Sequence, residues 1–451
     1  MHSLAPLALG LLATLVSQTV AAPVSSASAP AAYPTGPVVV TPGTAADIII
    51  TKDNTVNGTC GPPDSNGPKA NAAQGTAVLP LSFVNHLGGG VNAYVTGADA
   101  NNRLVMLQPG GTWYYPQASG GGVPQPITAN VAIPLGGQGS TTNINLPGYI
   151  SAGRIWFAVG TLQFFTVSGA NGQASLVEPS AVNPSDPSSG VNWGFVELTN
   201  NAGGLYADIS YVDFVGLPLG IQMQAGDGSL QSAAGLTANA VSSICSDLQA
   251  QAAKDGQPWG SLCQADKSGR PLRVIAPSDY TSLNPSAFSN LYTNYISQVW
   301  SKYSTQTLTI NTQSGAGNVA CKTSGNTLTC AGDNRAYAQP SAGDIFGCNS
   351  GPFAIQGSDN DVHRAVVPRL CAAFDRSTLL LNGGNVQPSL SSSSYYSVSP
   401  TNYFSKFVHK YEVDTRGYAF PYDDVNPAGE DQSGSVVDPN PRRLTVTVGG
   451  A

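Results

Sequence analysis

Charge is scarce in this chain of 451 residues: Asp, Glu, Lys and Arg together make up 10 % of it, against roughly a quarter in ordinary globular proteins. Lys and Arg are 19, Asp and Glu 26, and the net charge is −7 without any basic cluster. That excludes nucleic acid and anionic membrane as natural partners. Histidines are few and scattered (His86, His363, His409 beyond the leader), and no CxxC pair occurs, so no zinc site and no other metal is expected. Motifs of serine hydrolases, P-loops and dinucleotide binders do not occur in a fitting context, so no cofactor is expected either. Long apolar runs are missing after the first twenty residues, which leaves no further segment to span a bilayer. Glutamate is rarer still: Glu178, Glu197, Glu412 and Glu430 are all there are.

What the chain does have is Gly, Ser, Thr, Asn and Pro in quantity, the composition of a neutral, hydroxyl-rich surface suited to an uncharged polymer. Residues 1–22 read as a secretory signal, with Leu4–Val20 apolar and Ala21-Ala22 small. Residues 23–75 are rich in Pro, Ala, Ser and Thr and read as a linker or pro-segment, with a short ordered piece at Asp47–Thr51. Asn57-Gly58-Thr59 is an N-glycosylation sequon. The expected location is extracellular. Seven cysteines suit that setting. Adjacent pairing gives Cys245 with Cys263, Cys321 with Cys330 and Cys348 with Cys371, leaving Cys60 over. A monomer is the default expectation.

From residue 76 to 230, short β-prone runs are cut by Gly, Pro and Asn turns, the pattern of an antiparallel sandwich or barrel. Residues 231–375 change character to mixed α/β. Thr237–Lys254 carries Val241, Ile244, Cys245, Leu248 and Ala252 on one helical face, with Thr237 as N-cap and Gly256 as stop. A second helix is predicted from Asn284-Pro285 through Tyr303, and a third near Asp361–Phe374, interrupted by Pro368. Residues 376–451 return to strands that complete the β part.

The chemistry concentrates at Trp193–Gly220. A carboxylate inside an apolar strand is costly unless it is paired, bonded or used, and Glu197 is the one glutamate in such a setting. Period two puts Trp193, Phe195, Glu197 and Thr199 on one face, where desolvation favours a proton donor. On the next strand two aspartates compete as its partner. A turn on Gly203-Gly204 puts Ser210 opposite Glu197 with Asp208 one step away, whereas a turn nearer Leu205 brings Asp213 opposite. Two carboxylates in unlike environments are the equipment for acid/base cleavage of a glycosidic bond.

The segment resembles glycoside hydrolase family 64, the secreted endo-β-1,3-glucanases. Glu197 in FVELT and Asp213 in YVDFVGLPLG match that family's two acids, and LSFVNHL and YAFPYDD…LTVTVGG look like its first and last strands. The same block is similar to thaumatin-like proteins, although Asn200-Asn201 stands where their clefts often carry another acid. The resemblance covers roughly Thr76 to Ala451. It implies a thaumatin-like β-barrel or sandwich with an inserted α/β subdomain and a wide groove, β-1,3-glucan as partner, and an inverting reaction. Glu197 is then the general acid and Asp213 the general base. Thr199 and Asn201 fall where the family hydrogen-bonds glucose hydroxyls. Tyr206 and Asp208 on the neighbouring strand, and Trp113 with Tyr114 as an aromatic platform, complete the expected substrate contacts. The alternative is a thaumatin-like glucan binder without turnover.

Overall fold

The computed structural model describes residues 36–57, 77–118, 123–169 and 172–451. The leader and Cys60 lie outside them, and of the sequon only Asn57 is placed, at the end of strand Thr55–Asn57. No helix among the described residues is long and apolar enough to cross a membrane.

The β body is built on β1 (Leu79–Asn85), β2 (Val91–Asp99), β3 (Ile150–Val159), β4 (Asn192–Asn201), β5 (Gly204–Asp208), β6 (Leu219–Gln224), β7 (Ser435–Asp438) and β8 (Arg443–Val448). One sheet runs β7-β5-β4-β3-β2 and continues through Leu104–Leu107 to Trp113–Tyr114 at its far edge. A second runs from Leu230–Ala233 through β6, β8 and β1 to Thr141–Leu146. In it the first and last strands of the body lie side by side and parallel, Leu81 opposite Leu444. The two sheets are open and pack face to face, with Phe83 of β1 set edge-on to Phe157 of β3 at 5.0 Å. Among the described residues no barrel closes, so the sandwich alternative holds and the barrel does not.

Strand alternation sorts the faces of the large sheet. Ile155 and Phe157 of β3 point to the inter-sheet core, whereas Arg154 and Trp156 pair across to Glu197 and Phe195 of β4 on the other face. That outer face is aromatic at its centre: Trp156 lies 4.8 Å from Phe195, and Trp193 lies 4.7 Å from Phe214.

Between the β segments come α1 (Ala240–Asp255), α2 (Pro277–Leu283), α3 (Thr293–Thr305), α4 (Asp361–Asp375) and α5 (Tyr403–Tyr411). Gly256 does stop α1, in the left-handed conformation at φ 70°, but the N-cap position is Asn239 and Thr237 lies upstream, its carbonyl accepting from Ala240 N. The predicted second helix is split. Phe288 adopts φ 57° and buries its ring 4.5 Å from Trp259, so the helix starts only at Thr293. Core burial of one aromatic there outweighs helical continuity, since each such ring removes 150–250 Å² from water. By contrast α4 runs through Pro368 unbroken, giving up one backbone bond. The disulfides Cys245–Cys263, Cys321–Cys330 and Cys348–Cys371 each join cysteines adjacent in the sequence.

Candidate active site

The hairpin β4–β5 turns on Ala202-Gly203, with Asn201 opposite Gly204 and Glu197 directly opposite Asp208. The turn lies one residue earlier than the predicted Gly203-Gly204, so the residue opposite Glu197 shifts by two, from Ser210 to Asp208. Asn201 explains the choice, since its Oδ1 accepts from Gly203 N at 2.7 Å and closes the turn. Because cross-strand partners share a face, Glu197, Thr199, Asn201, Tyr206 and Asp208 all project from one side of this hairpin. Asp208, expected to touch substrate, is 7 % exposed. Burial and the neighbouring Asp208 and Tyr418 hold the Tyr206 hydroxyl well above its ordinary value.

Asp213 reaches the same region by another route. After β5 the chain bends at Val212-Asp213, and Phe214–Val215 pairs with Pro271–Ile275. Asp213 O accepts from Ala276 N at 2.8 Å, and Leu217 N donates to Trp193 O at 2.9 Å. This return is so close to β4 that a Cβ on Gly216 would stand 2.1 Å from Trp193 O; only glycine fits there.

Arg154 is the centre of the charge network. Its Nε donates to Glu197 Oε1 at 3.1 Å and its Nη1 to Glu178 Oε2 at 2.8 Å. Its guanidinium lies 4.6 Å over the Phe195 ring. The Glu178 side chain is fully buried and that of Glu197 is 38 % exposed. Thr96 Oγ1 donates to Glu178 at 2.6 Å and accepts from Trp156 Nε1 at 3.0 Å, so the buried glutamate is itself held. Expectation had Glu197 packed among aromatics; instead those rings are buried and Glu197 meets the guanidinium and solvent.

Two cavities adjoin this network. One of about 460 Å³ is lined by Asp53, Asp213 and Asp279 with serines, threonine and glycine. The other, of about 140 Å³, shares those three aspartates and adds Arg154, Trp156 and Phe195. Burial pushes the Asp213 carboxyl up to about 6, with the Arg154 guanidinium opposing and Glu197 and Asp53 assisting. Burial, with Asp213 and Asp53 beside it, pushes Asp279 up to about 8. Near neutral pH Asp213 is therefore ionised while Asp279 keeps its proton, an arrangement suited to moving protons.

Arg154, Glu178, Asp53 and Asp279 were not picked out from the sequence as site residues. For Arg154 a signal exists in the sequence, since a cation inside the apolar run GRIWF needs partners. Asp53 and Asp279 carried none. Trp113 and Tyr114 lie half-buried on the sheet edge, packed against the core. Four strand spacings separate that edge from β4, roughly 19 Å, and neither residue lines either cavity. Elsewhere His86 Nδ1 bonds Gly450 O at 2.9 Å and Glu430 accepts from Ser392 N, both structural contacts.

The sequence model of glycoside hydrolase family 64, described as Beta-1,3-glucanase, matches residues 77–448. The chain belongs to glycoside hydrolase family 64. It is 28 % identical over 370 residues to a glucan endo-1,3-beta-glucosidase of Cellulosimicrobium cellulans, covering 80 % of this chain and 63 % of that protein. The same enzyme name attaches to a protein of Arthrobacter sp. (strain YCWD3), also 28 % identical, over 366 residues, with the same shares of 80 % and 63 %. This family 64 chain thus spans 63 % of the length of the curated relatives it matches. Among solved structures, a laminaripentaose-producing beta-1,3-glucanase in complex with laminaritetraose superposes with a TM-score of 0.71 at 25 % identity, covering 83 % of this chain and 99 % of that one. A family 64 beta-1,3-glucanase domain from Clostridium beijerinckii superposes with a TM-score of 0.64 at 21 % identity over 84 % of this chain and 100 % of that one, and supports the fold.

Proposed function

We propose that this family 64 protein hydrolyses internal β-1,3 linkages of a β-1,3-glucan by acid/base catalysis. The observation that carries the reading is that Arg154, bonded to Glu197, lines one cavity together with the half-buried Asp213. The family match and the naming of its curated relatives as glucan endo-1,3-beta-glucosidases support hydrolysis over glucan binding without turnover. In this reading Glu197 protonates the leaving glycosidic oxygen as the bond breaks. Asp213, ionised above about 6, takes a proton from the attacking water, and one displacement inverts the anomeric carbon. Arg154 holds Glu197 in place and favours negative charge at Asp213 without entering the proton transfers. Thr199, on the Glu197 face, is assigned to a glucose hydroxyl, and the ring of Tyr206 opposite it to stacking on a sugar. Neither step calls for a metal. Secretion is part of the proposal, supported by three disulfides.

The test is hydrolysis of a linear β-1,3-glucan with product anomers followed by NMR from the first minutes. Release of α-anomers by the wild type, and none by Glu197→Gln, is expected. Release of β-anomers overturns the inverting course, and binding without new reducing ends overturns the hydrolase.

A further inference from the structure

Residues 36–57 precede the region the family matches, which begins at 77, yet they are built into the site. Val38–Val39 pairs in parallel with Cys263–Ala265, and Val40 behind it is buried. Asn183 Nδ2 donates to Asp47 O at 2.9 Å. At the other end Thr55–Asn57 adds a strand beside Ala174–Val177, which leads into Glu178. Between these anchors the turn Thr51–Asn54 is tied by Asn54, itself 4 % exposed. Its Oδ1 accepts from Thr51 N at 2.8 Å and Thr51 Oγ1 at 3.1 Å, and its Nδ2 donates to Ile49 O at 2.9 Å.

Two carbonyls of that turn face the charge network. Asp53 O accepts from Arg154 Nη1 at 3.3 Å, and Asn54 O accepts from Glu178 N at 2.9 Å. The Asp53 side chain lines both cavities with Asp213 and Asp279. We propose that the turn Thr51–Asn54 is a positioning element of the active site: its carbonyls hold Arg154 and Glu178 in the geometry that sets Glu197, while Asp53 walls the cleft beside Asp213. The proposal rests on the glucanase reading of the same site. A guanidinium held by three acceptors, here Glu197, Glu178 and the Asp53 carbonyl, is fixed in direction, and its carboxylate partner with it. With the Asp53 carbonyl displaced, Arg154 keeps its two carboxylates but loses the third contact that fixes its tilt, and misplacing a reacting group by about 1 Å costs up to about a hundredfold in rate. The charged groups facing Asp213 are Arg154 of β3, Glu197 of β4, Asp53 of the turn and Asp279 of α2.

The experiment uses the full chain with Asn54→Ala, Asn54→Asp and Asp53→Asn. On soluble linear β-1,3-glucan, Asn54→Ala is expected to lower kcat about tenfold or more, with KM nearly unchanged. Asn54→Asp keeps both acceptor contacts to Thr51 and recovers most of the rate. A second readout needs no turnover: ¹³C NMR titration of the Asp213 carboxyl, assigned through Asp213→Asn. Asp53→Asn removes a negative neighbour, so the midpoint is expected to move down. Wild-type kcat in Asn54→Ala together with an unmoved Asp213 midpoint in Asp53→Asn overturns the proposal. Should Asn54→Ala fail to fold, the midpoint decides alone. A moved midpoint in a protein that hydrolyses no glucan leaves the wall in place and defeats the glucanase reading instead.

Discussion

Of the arginines that hold carboxylates, Arg154 and Arg376 form the contrast that separates chemistry from stability. Arg376 is buried; its Nη2 donates to Asp423 Oδ1 at 2.8 Å and its Nη1 to Val425 O. Asp423 Oδ2 receives His409 Nε2 at 2.9 Å and Ala419 N at 2.9 Å, and His409 Nδ1 pairs with the buried Glu412 at 2.7 Å. No carboxylate in that set meets solvent. Arg154 has a buried partner too, Glu178, but its second partner, Glu197, reaches solvent and its neighbour Asp213 faces the cleft. The closed network can only hold the fold. The open one holds a reactive group at the edge of a cavity.

Breaking each network separates them most sharply. Glu197→Gln is expected to lose about a hundredfold to ten-thousandfold in kcat, the usual worth of a positioned acid, with the unfolding midpoint unchanged. Arg376→Met takes one of two cationic partners from the buried Asp423, leaving its Oδ1 without the guanidinium donor, and is expected to cost about 3–5 kcal/mol of stability, while the folded fraction keeps its specific activity. Denaturant unfolding and initial rates on the same samples check both.

Titration sharpens the comparison next. The His409 imidazole is held up to about 10 by Glu412 and Asp423 against its burial. A histidine raised in the folded state contributes stability fully present below its unfolded value near 6.5. That contribution is lost as pH rises towards 10, so unfolding free energy is expected to fall between pH 7 and pH 10, and His409→Gln flattens that slope. At the open site the readout is activity. With Asp213 at about 6, kcat/KM is expected to fall on the acid side with a limb near that pH. Arg154→Lys, with a less well placed positive charge, is expected to move this limb upward. A limb left in place by that change breaks the assignment of Asp213 as base. The smallest effect is expected at Asn201→Ala, which removes one turn bond worth about 0.5–1.5 kcal/mol and leaves kcat within about twofold; thermal unfolding with parallel rates measures it.

Much of this was legible from local pattern. Alternation put Glu197 and Thr199 on one face, turn residues cut the strands, Gly256 ended its helix, and adjacent cysteines paired. Each depends on neighbours in sequence, where the period of the backbone does the sorting. The partner of Glu197 was not legible in the same way, because a hairpin slip of two residues preserves faces and changes only who stands opposite.

What the sequence by itself determined is the list of strands, the face that carries Glu197 and, through the FVELT and YVDFVGLPLG matches, the family. Only the tertiary structure decided that Arg154 joins Glu178, Glu197 and the Asp53 carbonyl, and that Asp213 and Asp279 share a cleft. Of those groups, Arg154 and the Asp53 carbonyl it bonds lie 101 residues apart along the chain. Their meeting depends on sheet order, on the close return at Gly216 and on a strap laid across the body, none of which leaves a local periodic trace.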